Sequence, residues 1–167
     1  MKISAQEEYG LRCLVQLANL QPGESLTLPQ IAEREGISTA NAGKLMWLLN
    51  KAGFVHSTRG TKGGYFLARP AGEVRLNEVI KVLDQDVLNK HCESYTGVLD
   101  SCVHNGDCGI RPVIVGLHEI VENALSQITL AQLVGTESSV DAMFHQIQGI
   151  HRTIEPSGFS QIGTQGT

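Results

Sequence analysis

No stretch of the 167-residue chain approaches the roughly 18–20 consecutive apolar residues that a membrane-spanning helix requires. The opening Met1-Lys2-Ile3-Ser4-Ala5-Gln6-Glu7-Glu8 turns acidic before any apolar run forms. That argues against a secretory leader and makes a cytoplasmic location the expectation. Signatures of enzymatic chemistry are also missing: there is no nucleophile elbow, phosphate loop or zinc-protease spacing, so no catalytic function is expected. The chain has only four cysteines and no Cys-x-x-Cys pair. In a reducing compartment, cysteines used this way are free thiols or metal ligands rather than disulfides. Positive charge is not in excess either, and a net charge of −4 excludes a protein that coats nucleic acid indiscriminately. The 41% hydrophobic content is ordinary for a folded domain, or for one compact domain with an extension.

What charge there is lies unevenly. From Ser38 to Pro70 there are five basic residues (Lys44, Lys51, Arg59, Lys62 and Arg69) and no acidic one. From Val82 onward, ten acids face three bases. A basic segment on an acidic body is the footprint of a local phosphate-binding face, although a merely solvated basic surface would look the same. Apolar periodicity over this half predicts three helices. The first spans about 5–19 and buries Leu11, Leu14, Val15 and Ala18. The second starts at Thr27-Leu28-Pro29-Gln30, a capping pattern, carries Ile31 and Ala32 inward, and stops at Gly36. The third is capped by Ser38, buries Leu45, Leu48, Leu49 and Ala52, and closes at Gly53. Two short helices around a glycine-containing turn form a helix-turn-helix. Two short strands follow, 54–58 and 65–67, around the turn Arg59-Gly60-Thr61-Lys62-Gly63-Gly64. This reads as a wing, and the fold class expected is mainly α: a winged helix-turn-helix with a two-stranded wing and a long C-terminal dimerisation helix.

In such a fold the third helix enters the DNA major groove by its N-terminal half, where base edges carry a unique donor and acceptor code. Thr39, Asn41, Gly43 and Lys44 are the exposed candidates there, with Lys51 placed for phosphate. On the wing, Arg59, Thr61 and Lys62 are candidates, Arg59 for a narrow minor groove. For Asn41, a plain exposed helix position is the competing reading.

Downstream, Leu76, Val79, Ile80 and Leu83 make another short helix. A loop of about 27 residues, 84–110, then holds Cys92, Cys102 and Cys108. After it, Val113, Ile114, Leu117, Ile120, Val121, Ala124, Leu125 and Ile128 recur in threes and fours as a coiled-coil-like seam. Its natural cover is a second copy of the chain, packing against the first helix being the alternative. A symmetric dimer would set two recognition helices about one DNA turn apart, matching a palindromic operator. Val140, Met143, Phe144, Ile147 and Ile150 suggest one more short helix, and the residues from Glu155 onward a mobile tail.

Glu8-Tyr9-Gly10-Leu11-Arg12, Ile31-Ala32-Glu33 with Gly36-Ile37-Ser38, Leu48 with Lys51-Ala52-Gly53-Phe54-Val55, and Arg59-Gly60 with Gly63-Gly64-Tyr65 together resemble the Rrf2 family of bacterial regulators over about residues 1–135. Ile128-Thr129-Leu130-Ala131-Gln132-Leu133-Val134 is similar to the family's segment after its dimer helix. The resemblance implies a homodimeric winged-helix transcription factor, often a repressor, holding an iron–sulfur cluster (2Fe–2S or 4Fe–4S) in the cysteine loop. Cys92, Cys102 and Cys108 fall where the family's cluster cysteines lie. The five-residue gap between the last two matches, whereas the nine-residue first gap is longer than the family's usual. Some members place a histidine three residues after the last cysteine. Here that position is Arg111, an implausible ligand. Other members bring a carboxylate from the first helix, and Glu8 occupies that position, so three thiolates plus Glu8, the latter given by the other subunit, form the implied set. An oxygen ligand leaves a more exchangeable corner, suited to sensing redox state, nitric oxide or iron.

Two alternatives stand beside this set: zinc held by the thiols with His91 or His104, and cluster-free redox thiols. Glu8 also reads as an ordinary exposed helix acid, and Cys13 as a small core residue. By function, a cluster-sensing regulator is expected first, and second a cluster-free regulator of the same fold that responds to thiol oxidation or a metabolic partner. A small electron or cluster carrier would leave the basic wing without use. The implied organisation is a DNA-binding domain over 1–83, a cluster loop over 84–110, a dimerisation helix over 111–135, and a short helix with a tail over 136–167.

Overall fold

In a computed structural model of the chain, the described residues are 3–58, 60, 63–83, 102–104 and 107–151, the last five as backbone only. Two units are compact by themselves, Met1–Val134 and Gly135–Thr167.

The first unit opens with α1 (Ala5–Ala18). Ser4 caps it by a capping box with Glu7: the Glu7 N–H donates to Ser4 Oγ, and the Ser4 N–H donates to the Glu7 carboxylate at 2.6 Å. Helix α2 (Leu28–Glu35) starts in the expected way, with the Thr27 N–H donating to Gln30 Oε1 at 2.9 Å and Pro29 in the first turn. It ends at Gly36, whose φ of 64° is the left-handed conformation that favours glycine. Two residues later α3 (Thr39–Lys51) begins, with Ser38 Oγ accepting from the Asn41 N–H at 3.2 Å.

Strands β1 (Val55–Ser57) and β2 (Tyr65–Leu67) pair antiparallel with His56 opposite Phe66. The wing is tied back to the helices at both ends. Asn50 donates to the Val55 carbonyl at 3.0 Å, and Tyr65 bridges to Leu26 ahead of α2. Gly64 is required by that bridge, because a Cβ there would lie 2.8 Å from the Leu26 carbonyl oxygen.

Helix α4 (Leu76–Leu83) packs on α1 at a close crossing. A Cβ on Gly10 would sit 2.5 Å from Leu83, and Gln6 Nε2 donates to the Leu83 carbonyl at 2.7 Å. After α5 (Ile110–Ser126) the chain returns to the segment that precedes α4. The Leu76 N–H donates to the Ile128 carbonyl at 3.0 Å, and the Leu130 N–H to the Val74 carbonyl at 2.9 Å. The core combines Cys13, Leu14 and Leu17 of α1, Ile31 of α2, Ala42, Leu45, Met46 and Leu49 of α3, Val55 of β1, Val79 and Leu83 of α4, and the returning Leu130. Burying each large side chain of this set contributes about 1.5–3 kcal/mol.

The buried faces are turned relative to the sequence expectation. On α1, Gly10, Cys13, Leu14 and Leu17 are buried, while Leu11, Val15 and Ala18 are only half-buried. On α3, Ala42 and Met46 join Leu45 and Leu49, whereas Leu48 is half-buried and Ala52 exposed. The reason is that α3 is enclosed on one side by α1, α2 and α4 together, so its core face lies nearer Ala42 than Ala52. Ile128, expected at the end of the seam, lies beyond α5 and is buried against the first unit. In the second unit, α6 (Glu137–His151) confirms the final helix, entered through Thr136, whose Oγ1 accepts from the Ser139 N–H at 3.3 Å. The expected tail lies outside the described residues.

Candidate DNA-reading face and cysteine site

The capped start of α3 fixes the direction of every side chain along it. Thr39, Ala40, Asn41, Lys44, Trp47 and Lys51 are exposed, opposite the buried Ala42–Leu45–Met46–Leu49 face. Thr39 and Lys44, and the Asn41 side chain, have no hydrogen-bond or ion-pair partner among the described residues, so their donors and acceptors are available to a ligand. Gly43 differs from expectation. A Cβ there would lie 3.2 Å from Leu28 Cδ2, so Gly43 is the contact point of α2 with α3 rather than an outward-facing position.

Of the wing candidates, Arg59, Thr61 and Lys62 lie outside the described residues. The strands beneath them are defined: the Thr58 N–H donates to the Gly64 carbonyl at 3.0 Å, and the Gly63 N–H to that of Gly60 at 2.8 Å. Gly60, with φ 114°, takes a conformation that disfavours side chains.

Arg69, counted with the basic segment, is turned inward. It pairs with Glu78 of α4 and lies over the Phe54 ring, 5.5 Å from its centroid, fastening the wing to the body. Sequence reasoning missed Trp47, which is 59% exposed with the Lys51 ammonium 5.2 Å from its ring centroid. Its signal was present in the spacing, three residues after Lys44 and four before Lys51, on one stripe of the helix.

The cysteines divide into two kinds. Cys13 is fully buried on α1, and burial, helped by the nearby Glu35 charge, pushes its thiol up to about 12, so it stays protonated and unreactive. This is the core residue expected. Cys102 and Cys108 are free and half-exposed on the approach to α5. The Cys108 carbonyl accepts from the Arg111 N–H at 3.3 Å in the first turn of that helix. Cys92 and His91 lie outside the described residues.

Glu8 is exposed on α1 and paired with Arg12 at 2.8 Å, and Arg12 in turn lies over Tyr9. Among the described residues of one chain, no three His, Cys, Asp or Glu side chains gather closely enough to hold a metal, so Glu8 does not join Cys102 and Cys108 within the protomer. Arg111, at the position of the alternative histidine, has a buried Nε with no partner among the described residues.

Helix α5 has no buried residue. Val113, Leu117 and Ile120 are exposed along one stripe, Leu117 by 55% and Ile120 by 66%. On the other side, Glu122 meets Lys81 of α4 at 2.8 Å. No helix among the described residues is long and apolar enough to cross a membrane.

Comparisons with known proteins agree on one family. The profile of the Rrf2 family, described as iron-dependent transcriptional regulators, matches residues 3–136. The HTH-type transcriptional regulator IscR of Cronobacter sakazakii is 29% identical over 152 residues, covering 91% of each chain. Among solved structures, IscR of T. potens superposes with a TM-score of 0.63 at 30% identity, over 80% of this chain and 86% of that one. The oxidised form of CymR from Staphylococcus aureus gives 0.64 at 26% identity, over 81% and 98%.

Proposed function

The chain belongs to the Rrf2 family of transcriptional regulators, DNA-binding proteins rather than enzymes, and on that premise we propose that it is a homodimeric repressor whose operator affinity is set by an iron–sulfur cluster. The observation that carries this reading is the joint placement of two features in one compact unit. One is a capped, outward-facing α3 with unpartnered polar and basic side chains. The other is a pair of accessible thiols at the head of a helix whose far end is fastened to the same core.

Reading is assigned to Thr39, Asn41 and Lys44 in the major groove, Lys51 at phosphate, and Arg59, Thr61 and Lys62 on the wing. Two copies joined along the α5 seam bring two α3 helices onto one face of a palindromic operator, about one helical turn (roughly 34 Å) apart. Occupying that site excludes other proteins from the promoter, hence repression. Residues 1–83 then act as reader, 84–110 as cluster loop and 111–135 as dimer helix.

Cys92, Cys102 and Cys108 supply the thiolates of the holding set, with Glu8 from the second copy as the fourth ligand. The donors fit in kind. Two of the thiols are free and accessible, and Glu8 is held only by a surface pair with Arg12, a contact contributing about 0–1 kcal/mol and easily exchanged. Arg111, three residues after Cys108, has a buried Nε with no partner among the described residues, a spare donor near the thiols in sequence. When bound, the cluster supplies a redox-active, exchangeable iron corner. The chain's own part is mechanical. Cys108 leads directly into α5, and Ile128 and Leu130 tie the other end of α5 to Val74 and Leu76, so a shift at the thiols is carried to the α1–α4 body.

A second reading, cluster-free sensing by thiol oxidation, is favoured by the likeness to a regulator solved in an oxidised form, together with the free Cys102 and Cys108. The two readings separate on operator binding. Anaerobically purified chain should change its affinity by about 5- to 150-fold when nitric oxide or an iron chelator is added. If iron removal leaves affinity unchanged while peroxide shifts it, the cluster-free reading holds instead.

A further inference from the structure

We propose that Trp47 is a DNA-contact residue that docks α3 against the sugar–phosphate backbone at the rim of the major groove, an inference resting on the DNA-reading role of α3. Trp47 is 59% exposed on the face of α3 opposite the core, and its indole joins a large apolar surface to a polar N–H. It lies on one stripe with Lys44 and Lys51, with the Lys51 ammonium 5.2 Å from the ring centroid. An apolar ring between two cations is poorly suited to a purely hydrophobic protein partner, and no acidic residue occurs between Ser38 and Pro70 to oppose an anionic one. The indole N–H is a donor only, and a phosphate oxygen an acceptor only.

Position along the helix sets the depth. Trp47 comes eight residues after Thr39, about 12 Å along the axis at roughly 1.5 Å per residue. The major groove is about 8.5 Å deep. With the N-terminal residues of α3 at the base edges, Trp47 falls beyond them along the helix, on the side of the groove rim and its phosphates. There its Nε1–H donates to a phosphate oxygen, its ring covers deoxyribose, and the cation–π contact holds Lys51 toward the neighbouring phosphate. Its role is to set the insertion depth of α3, and the sequence is read by Thr39, Asn41 and Lys44.

The test uses the full chain and a duplex of about 30 base pairs, long enough for two half-sites one turn apart, selected by that chain from a randomised pool. Trp47 is the chain's one tryptophan, so its emission reports this contact alone. Emission should change saturably on titration with the duplex, with the midpoint given by anisotropy of labelled DNA. Trp47→Ala should weaken binding about tenfold with an unchanged slope of log K against log salt, because no cation is lost. Trp47→Phe should fall between, and Lys51→Ala should lower the slope by about one. Thermal melting of Trp47→Ala should match the parent chain, since the ring is not in the core. Tight binding by the parent chain with unchanged emission, and equal affinity in Trp47→Ala, would overturn the proposal and point to a protein partner at this surface. Failure of the parent chain to select or bind any duplex would overturn the DNA-reading role, and this inference with it.

Discussion

The N-terminal 83 residues and helix α5 are built on opposite terms. Among the described residues, every fully buried large side chain lies between Cys13 and Leu83 or at Leu130, whereas α5 presents Ile110, Val113, Leu117 and Ile120 to solvent and buries nothing. The first region, with the returning Leu130, closes one core from three capped helices, α4 and a tied-back hairpin. The second packs beside α4, where Glu122 meets Lys81, and half-buries Val121, Ala124 and Leu125, but it leaves Val113, Leu117 and Ile120 exposed. On the proposed function, this contrast would let assembly and sensing share the α5 surface while each protomer carries its own DNA-reading helix.

Breaking the uncovered side should have the largest effect. Leu117→Asp with Ile120→Asp removes two apolar side chains from each protomer, each contributing about 1.5–3 kcal/mol when buried, so self-association should weaken at least a thousandfold. Sedimentation equilibrium of the anaerobic protein measures this. A dimer that survives both changes would place the partner surface elsewhere. The reading head should remain folded in the same variant, with its helical circular dichroism retained, because no core residue is touched.

The two kinds of cysteine sharpen the contrast next. In native protein stripped of metal, iodoacetamide at mildly alkaline pH should modify Cys102 and Cys108 and spare Cys13, whose thiol pKa is raised to about 12 by burial. The sign also sets a stability trend. A thiol pKa raised on folding means the unfolded chain loses its proton first, so stability falls as pH rises from the ordinary thiol value of 9.0 toward 12. Cys13→Ser should flatten that fall. Modification of Cys13 at the rate of Cys102, followed by mass spectrometry, would show that the core opens more readily than its packing implies.

The smallest effect belongs to the inward-turned arginine. Arg69→Ala should lower stability by about 0–1 kcal/mol, the range for a half-exposed ion pair, and leave the salt slope of DNA binding unchanged. A slope reduced by about one would mean that Arg69 leaves Glu78 for phosphate.

Helix starts and stops were legible in the sequence, because capping is local. Ser38, Thr27 with Gln30, and Gly36 act within a few residues of their own position, and each does in the structure what its type implies. The buried faces were less legible. Which side of α1 or α3 turns inward depends on how many elements surround it, and Gly10 on Leu83 and Gly43 on Leu28 are long-range contacts with no local signature. Arg69 was misread as part of a phosphate-binding face because its acid partner lies beyond the basic segment, on α4. Trp47 drew no reading from the sequence, because whether a side chain of α3 meets core or solvent depends on the elements packed against that helix. The cysteine site was legible only through family resemblance. The proposed set draws on residues far apart in sequence, and among the described residues of one chain Glu8 pairs with Arg12 and forms no metal-holding group with Cys102 and Cys108.

The most direct measurement is iron and acid-labile sulfide per chain in protein purified without oxygen, read together with its visible spectrum. Cluster sensing requires brown protein with stoichiometric iron and sulfide, lost in Cys102→Ser and kept in Cys13→Ser. Colourless protein carrying one zinc per chain, or no metal at all with operator binding intact, would contradict it.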